Sequence, residues 1–176
     1  MSVDDPLSDL THALSRFRVA STPPDAVLDA MVAFAYSDGL ASHAELEYIA
    51  SLRFAGDSER ASAEIARSTE RLRQDADFRA ALTRVGGMLR DDAERIEVLA
   101  FAVAVAYADL EIQRAEDQAI AWLCDALGLG FARAHEVCDA VADAVEANEP
   151  LAHLPPDATL PLTFVSGLRW PGFARS

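Results

Sequence analysis

The distribution of proline is the feature of this sequence that most restricts its fold. Residues 25–149 contain no proline, whereas five of the eight prolines fall within residues 150–171. Because proline disrupts the interior of a helix, a long proline-free stretch with apolar residues at helical spacing favours consecutive helices. No alternating pattern typical of strands interrupts it. The sequence therefore predicts an all-α, single-domain bundle of about seven to eight helices.

Capping signals divide the stretch into helices. Ser42 and Glu45 form a capping-box pattern, and Asp57 and Asp75 are suitable N-caps. Gly128 suits the left-handed position that closes a helix. The predicted helices run approximately over residues 5–18, 22–39, 42–56, 57–73, 75–87, 91–107, 114–127 and 131–147.

The composition and the positions of the prolines divide the chain into three parts. We assign residues 1–20 to an N-terminal helical extension and residues 21–148 to the helical domain. Residues 149–176 form a proline-containing C-terminal tail that includes Trp170 and Phe173. This tail is expected to be irregular chain on the surface of the domain.

The charge balance limits the partners of the protein. The net charge is −14, and residues 91–149 carry 14 acidic against 3 basic side chains. A field of this sign repels phosphate backbones, so general binding of nucleic acid or of anionic membranes is excluded. All 15 basic residues are Arg, which excludes a Schiff-base or P-loop lysine. Cations and basic protein surfaces are the expected partners.

The N-terminus and the cysteines indicate a cytoplasmic protein. The first residues, MSVDDPLSD, are acidic where a secretory signal is basic and then apolar. The longest apolar run, residues 98–108, is 11 residues long and too short to span a bilayer. Cys124 and Cys138 are too few for a disulfide framework, so buried, reduced thiols are expected. We predict no direct insertion into a membrane.

The sequence also contains an internal duplication. Residues 31–53 match residues 102–124 at an offset of 71, with 10 identities in 23 positions. Both copies read as an apolar helix, a Tyr-x-Asp segment, a six-residue spacer, a Glu and an amphipathic helix. We predict repeats near residues 25–56 and 96–128 whose two apolar helices pack together at the centre of the bundle. Six identities involve residues other than Ala, namely Val32/Val103, Tyr36/Tyr107, Asp38/Asp109, Glu45/Glu116, Ile49/Ile120 and Leu52/Leu123.

Each copy places two carboxylates around a bend between helices, Asp38 with Glu45 and Asp109 with Glu116. We call these two bends the acidic corners. Oxygen ligands of this kind suit a hard divalent cation, with Ca²⁺ and Mg²⁺ favoured. Helix capping explains the same carboxylates, because an acid in the first turn of a helix interacts favourably with the helix dipole. The sequence leaves open which reading holds and whether the two corners meet.

The doubled segments AYSDGLASHAE (35–45) and AYADLEIQRAE (106–116) resemble the repeated A-x-A-D-G-x-I-x-x-x-E signature of the TerB-like family. That family includes tellurite-resistance proteins and the N-terminal domain of some membrane-anchored J-domain co-chaperones. The resemblance covers about residues 25–147 and implies an internally duplicated all-helical fold. It also implies that Asp38, Glu45, Asp109 and Glu116 bind a metal ion. The resemblance further implies that the protein acts together with a membrane protein and with calcium-binding relatives of TerD.

The sequence is compatible with three functions. The first is a non-enzymatic protein of a tellurite-resistance or metal-stress response that binds a divalent cation at the acidic corners and docks partner proteins. The second is a helical interaction module without metal, like the co-chaperone domain; a homo-oligomer is compatible with either. The third is a metal-dependent enzyme based on Asp109 and Glu116. Motifs such as H-E-x-x-H, G-x-S-x-G and G-x-G-x-x-G are missing from the sequence, which favours a protein that is not an enzyme.

Overall fold

The computed structural model of the protein describes residues 6–37, 41, 43–55, 57–107 and 114–146. These residues form eight helices and no strand, so the predicted all-α bundle is confirmed. Of the two predicted terminal segments, residues 1–5 and the whole of residues 149–176 lie outside the described residues. The helices are α1 (Pro6–Ser15), α2 (Pro24–Ala35), α3 (His43–Phe54), α4 (Ser58–Arg73), α5 (Phe78–Gly87), α6 (Asp92–Ala106), α7 (Arg114–Leu127) and α8 (Phe131–Glu146).

Helices α2 and α6 form the centre of the bundle and pack against each other, as predicted. Every residue of α2 from Ala26 to Ala35 is buried, and so is every residue of α6 from Glu97 to Ala106. Alanine occurs repeatedly along both helices, and its small side chain lets two helix axes approach closely. Helices that are apolar on all faces are stable in water only when other helices surround them.

The remaining helices enclose this central pair. Helices α3, α4 and α5 pack on α2, whereas α7 and α8 pack on α6. Helix α5 also packs on α7, and α1 packs on α3 and α8. A single apolar core therefore runs from Leu10 in α1 to Val145 in α8.

The two central helices end in the same way. Tyr36 follows α2 with φ −94° and ψ 3°, and Tyr107 follows α6 with φ −89° and ψ −1°. Both backbone N–H groups donate to carbonyl oxygens of the preceding turn. Helix α2 thus ends at Ala35 rather than at Gly39, which lies outside the described residues.

Local capping explains most of the other helix ends. Asp57 accepts a hydrogen bond from the N–H of Arg60 at 3.0 Å, as predicted for the start of α4. Gly128 has φ 65° after α7, which confirms it as the left-handed residue. Asp75 does not cap α5, because its carboxylate binds Arg84. Asp77 does so instead, accepting from the N–H of Ala80 at 2.8 Å.

The apolar stretches of α2 and α6 lie in the core. In the part of the chain that the structure covers, no helix combines the length and the apolar character that a transmembrane span requires.

Candidate functional site

The acidic corners follow α2 and α6, where the repeated sequence predicts them. Asp38 and Asp109 lie outside the described residues. Glu45 lies in the first turn of α3, is half-buried and interacts with other groups. Glu116 is the third residue of α7, as Glu45 is of α3. Equivalent glutamates therefore begin the helix after each corner.

The described residues do not complete a cation site by themselves. Among them, no group of three or more His, Cys, Asp or Glu side chains is arranged to hold a metal ion. Two of the four predicted ligands, Asp38 and Asp109, lie outside those residues. Metal binding at the four predicted residues stays a prediction.

A cavity of about 420 Å³ opens between the end of α6 and helices α7 and α8. Its lining is largely apolar and aromatic, with Ile120, Leu129 and Tyr107 among the lining residues. Cys124 from α7 and Cys138 from α8 both line it, together with the side chains of Asp125 and His135. We call this space the α7–α8 cavity. The two cysteines, expected from the sequence to be buried, are half-buried beside it.

Burial controls the acidity of the two thiols. It raises the pKa of Cys138 to about 11, and the nearby Cys124 and Asp139 act in the same direction. Burial also raises the pKa of Cys124, with a further contribution from the neighbouring Asp125. Desolvation disfavours a thiolate, so both groups carry their protons at neutral pH.

An aromatic pair forms one side of the α7–α8 cavity. The rings of Phe131 and His135 stack with their centroids 5.8 Å apart and their planes 9° from parallel. Phe131, the first residue of α8, is 86% exposed. His135 Nε2 lies 3.4 Å from a carboxylate oxygen of Asp139 one turn later.

A buried ion network, which helical spacing alone does not predict, joins α2, α4 and α5. Asp29 is fully buried, and Ser68 Oγ donates to it at 2.7 Å. Arg71 donates through Nε and Nη2 at 2.7 to 3.1 Å, and Arg84 Nη1 donates at 2.9 Å. Arg84 also binds Asp75 through Nε and Nη2. We call these five residues the Asp29 network.

The Asp29 network satisfies a buried charge and fixes the packing of three helices. Hydrogen bonds to Asp29 and Asp75 raise the pKa values of Arg71 and Arg84 above the ordinary value for arginine. A buried carboxylate is tolerated only when it is paired and hydrogen-bonded. The single signal in the sequence was an Asp within the apolar segment VLDAMVAFA (27–35).

A second cluster of charges lies where α3 and α6 meet the chain after α1. The guanidinium carbons of Arg18 and Arg53 lie 6.0 and 5.2 Å from the ring centre of Phe101. The buried carboxylate of Glu97 accepts the N–H of Val19 at 3.0 Å. Burial and the neighbouring Arg18 lower the pKa of Arg53, although Glu97 acts in the opposite sense. This cluster stabilises the packing of the first connection on α6.

Comparison with known proteins identifies the domain. The family model described as "Tellurite resistance protein TerB" matches residues 25–139. No curated protein and no solved structure matches the chain significantly. The matched region includes both predicted corners, the Asp29 network and both cysteines. Since it covers well over half of the chain, this protein belongs to the TerB family.

Proposed function

We propose that this TerB-family protein acts without catalysis in a tellurite-resistance or metal-stress response, binding a divalent cation at its acidic corners and docking partner proteins. The observation that carries the first part is the equal spacing of the two helix–corner–helix units. Helix α2 ends at Ala35 and α3 begins at His43, and both positions recur 71 residues later, at Ala106 and Arg114. This offset equals that of the sequence duplication.

Equivalent backbone geometry supports equivalent corners. Tyr36 and Tyr107 leave the two central helices with nearly equal backbone angles. The same number of residues separates α2 from α3 and α6 from α7, and Glu45 and Glu116 are each the third residue of the helix that follows. Carboxylate oxygens on both sides of a short bend are the ligands that Ca²⁺ and Mg²⁺ prefer. The net charge of −14 raises the local concentration of such ions.

A thermal melt with millimolar Ca²⁺, Mg²⁺, Mn²⁺ or Zn²⁺ at constant ionic strength tests the cation site. A cation that binds only the native state stabilises it by about 2.7 kcal/mol at 100 times its dissociation constant. We expect Asp109→Asn with Glu116→Gln to reduce this stabilisation, and Asp38→Asn with Glu45→Gln to do the same.

The matched control removes two carboxylates elsewhere. Glu136→Gln with Asp139→Asn changes the net charge equally on α8, where both side chains are about two-thirds exposed. It should retain the metal-specific shift in Tm. Equal responses from the wild type and both corner variants would show that the corners do not bind the cation.

The second part of the proposal, partner docking, is supported by the surface of α8. Phe131 is exposed at the start of this helix, which carries four acidic residues against one arginine, Arg133, that pairs with Glu136. An apolar side chain near carboxylates suits a basic partner surface with an apolar contact at its centre. The resemblance to tellurite-resistance proteins points to partners that act at the membrane.

Affinity capture followed by titration of the purified captured protein tests docking. We expect Phe131→Ser to weaken binding of that partner by about tenfold or more, as loss of an exposed aromatic anchor does. Retention of the partner by both corner variants would favour a pure interaction module without metal. Unchanged affinity in Phe131→Ser would exclude α8 as the docking surface.

A further inference from the structure

The two cysteines of this chain converge on one cavity. The sequence contains only these two, and they lie 14 residues apart on consecutive helices. Cys124 on α7 and Cys138 on α8 nevertheless both line the α7–α8 cavity. The proximity of Cys124 also contributes to the raised pKa of Cys138. The cavity therefore presents a pair of thiols rather than two unrelated ones.

The donor set limits what such a pair can bind. In the described part of the chain, no third His, Cys, Asp or Glu joins the thiols in a group suited to a metal ion. A tetrahedral zinc site needs three or four protein ligands, so two thiols alone do not form one. A soft centre that forms two bonds to sulfur requires no further protein ligand.

The protonation state of the two thiols determines which reactions of thiols are favoured in this cavity. Peroxide oxidation requires a thiolate, which burial disfavours at both positions. Condensation of a thiol with the hydroxide of a trivalent metalloid does not consume a thiolate, because the thiol proton leaves together with the hydroxide as water. Protonated thiols in a largely apolar cavity are compatible with this second reaction.

We propose that Cys124 and Cys138 form a dithiol site for a trivalent thiophilic metalloid centre of the organoarsenical type. Two arsenic–oxygen bonds break, two arsenic–sulfur bonds form and two waters leave, while arsenic remains trivalent and no oxidant is consumed. The third substituent on arsenic occupies the remaining volume, where Tyr107 and Phe131 offer aromatic surfaces. This inference is independent of the acidic corners.

Phenylarsine oxide, whose hydrate is a dihydroxide of this type, is the probe. Intact-mass measurement of the reduced full-length protein should show one adduct per chain and the loss of both titratable thiols. Binding by two thiols should resist millimolar glutathione and be reversed by a small dithiol. Two adducts per chain, or rapid removal by glutathione, would show that the cysteines react separately and would overturn the proposal.

Single substitutions test the pairing. Cys124→Ser and Cys138→Ser should each weaken binding by about 100-fold or more, because the second bond forms within an already tethered complex. Circular dichroism checks that both variants are folded. The corner variant Asp109→Asn with Glu116→Gln should bind the probe like the wild type. Undiminished affinity in either folded serine variant would contradict a dithiol site.

Discussion

Asp29→Ala is expected to lower the free energy of unfolding by about 3–5 kcal/mol, the usual cost of removing one partner from a buried ion pair. The carboxylate of Asp29 accepts hydrogen bonds from Ser68, Arg71 and Arg84. Its loss leaves the Ser68 hydroxyl without this acceptor and removes the buried partner of both guanidinium groups, of which Arg84 keeps its bonds to Asp75. Urea denaturation followed by circular dichroism measures the change.

Asp25→Ala is the matched control for this prediction. Asp25 lies one turn earlier on α2, is 55% exposed and is 3.5 Å from Arg71. Exposed ion pairs contribute about 0–1 kcal/mol, so the control should lose no more than that. Asp29→Asn keeps the shape and removes the charge, and should lose about 2 kcal/mol. A loss below 1 kcal/mol in both Asp29 variants would show that the Asp29 network does not stabilise the fold.

Gly86→Ala should have the next largest effect, lowering the free energy of unfolding by about 2–3 kcal/mol, as overpacking in a close contact does. Gly86 lies in the last turn of α5, against the end of α7. An added Cβ would clash with the carbonyl oxygen of Ala126 and lie 3.1 Å from its carbon. These are backbone atoms, so no side-chain rotation relieves the clash and the two helices must separate.

The next residue provides the control. A Cβ added at Gly87 meets no atom within 4 Å, and this residue is also within α5. Gly87→Ala should therefore raise stability by about 0.4–1 kcal/mol through the reduced entropy of the unfolded chain. Thermal and urea unfolding of both variants compare the two positions. Equal effects of the two substitutions would rule out the close contact between α5 and α7.

Helix boundaries were predictable where short-range capping decides them. The predicted limits of α7, Arg114 and Leu127, are confirmed, and so is the role of Gly128. The N-cap of α5 was wrong by two residues. Asp75 has the right chemistry for a cap, but Arg84 nine residues later binds its carboxylate. A local pattern does not contain that competing interaction.

The burial of polar residues was not predictable from helical spacing. Asp29 finds its partners 39 to 55 residues further along the chain, on two other helices. Glu97 similarly binds the backbone of Val19, 78 residues earlier. Such contacts depend on the relative orientation of the helices, which the apolar pattern of one helix does not encode. An acid within an apolar helix was the available signal.

The acidic corners were predictable from the sequence, whereas the cysteine pair was not. Repetition located the two acidic corners, and the structure places matching helix ends around them. Cation binding there stays a prediction, since Asp38 and Asp109 lie outside the described residues. The convergence of Cys124 and Cys138 was missed because it arises from the packing of α7 and α8 around a cavity.

The two walls of the α7–α8 cavity are attached to different neighbours. Helix α7 packs on α5 and α6, whereas α8 packs on α6 and α1. The short bend at residues 128–130 joins them, and the charged contacts of the Asp29 network lie on other helices. A small rotation of α8 would therefore widen or narrow the gap and leave those ion pairs intact. The width of this cavity therefore depends on the apolar packing of α8, whereas charged contacts fix the packing of α2, α4 and α5.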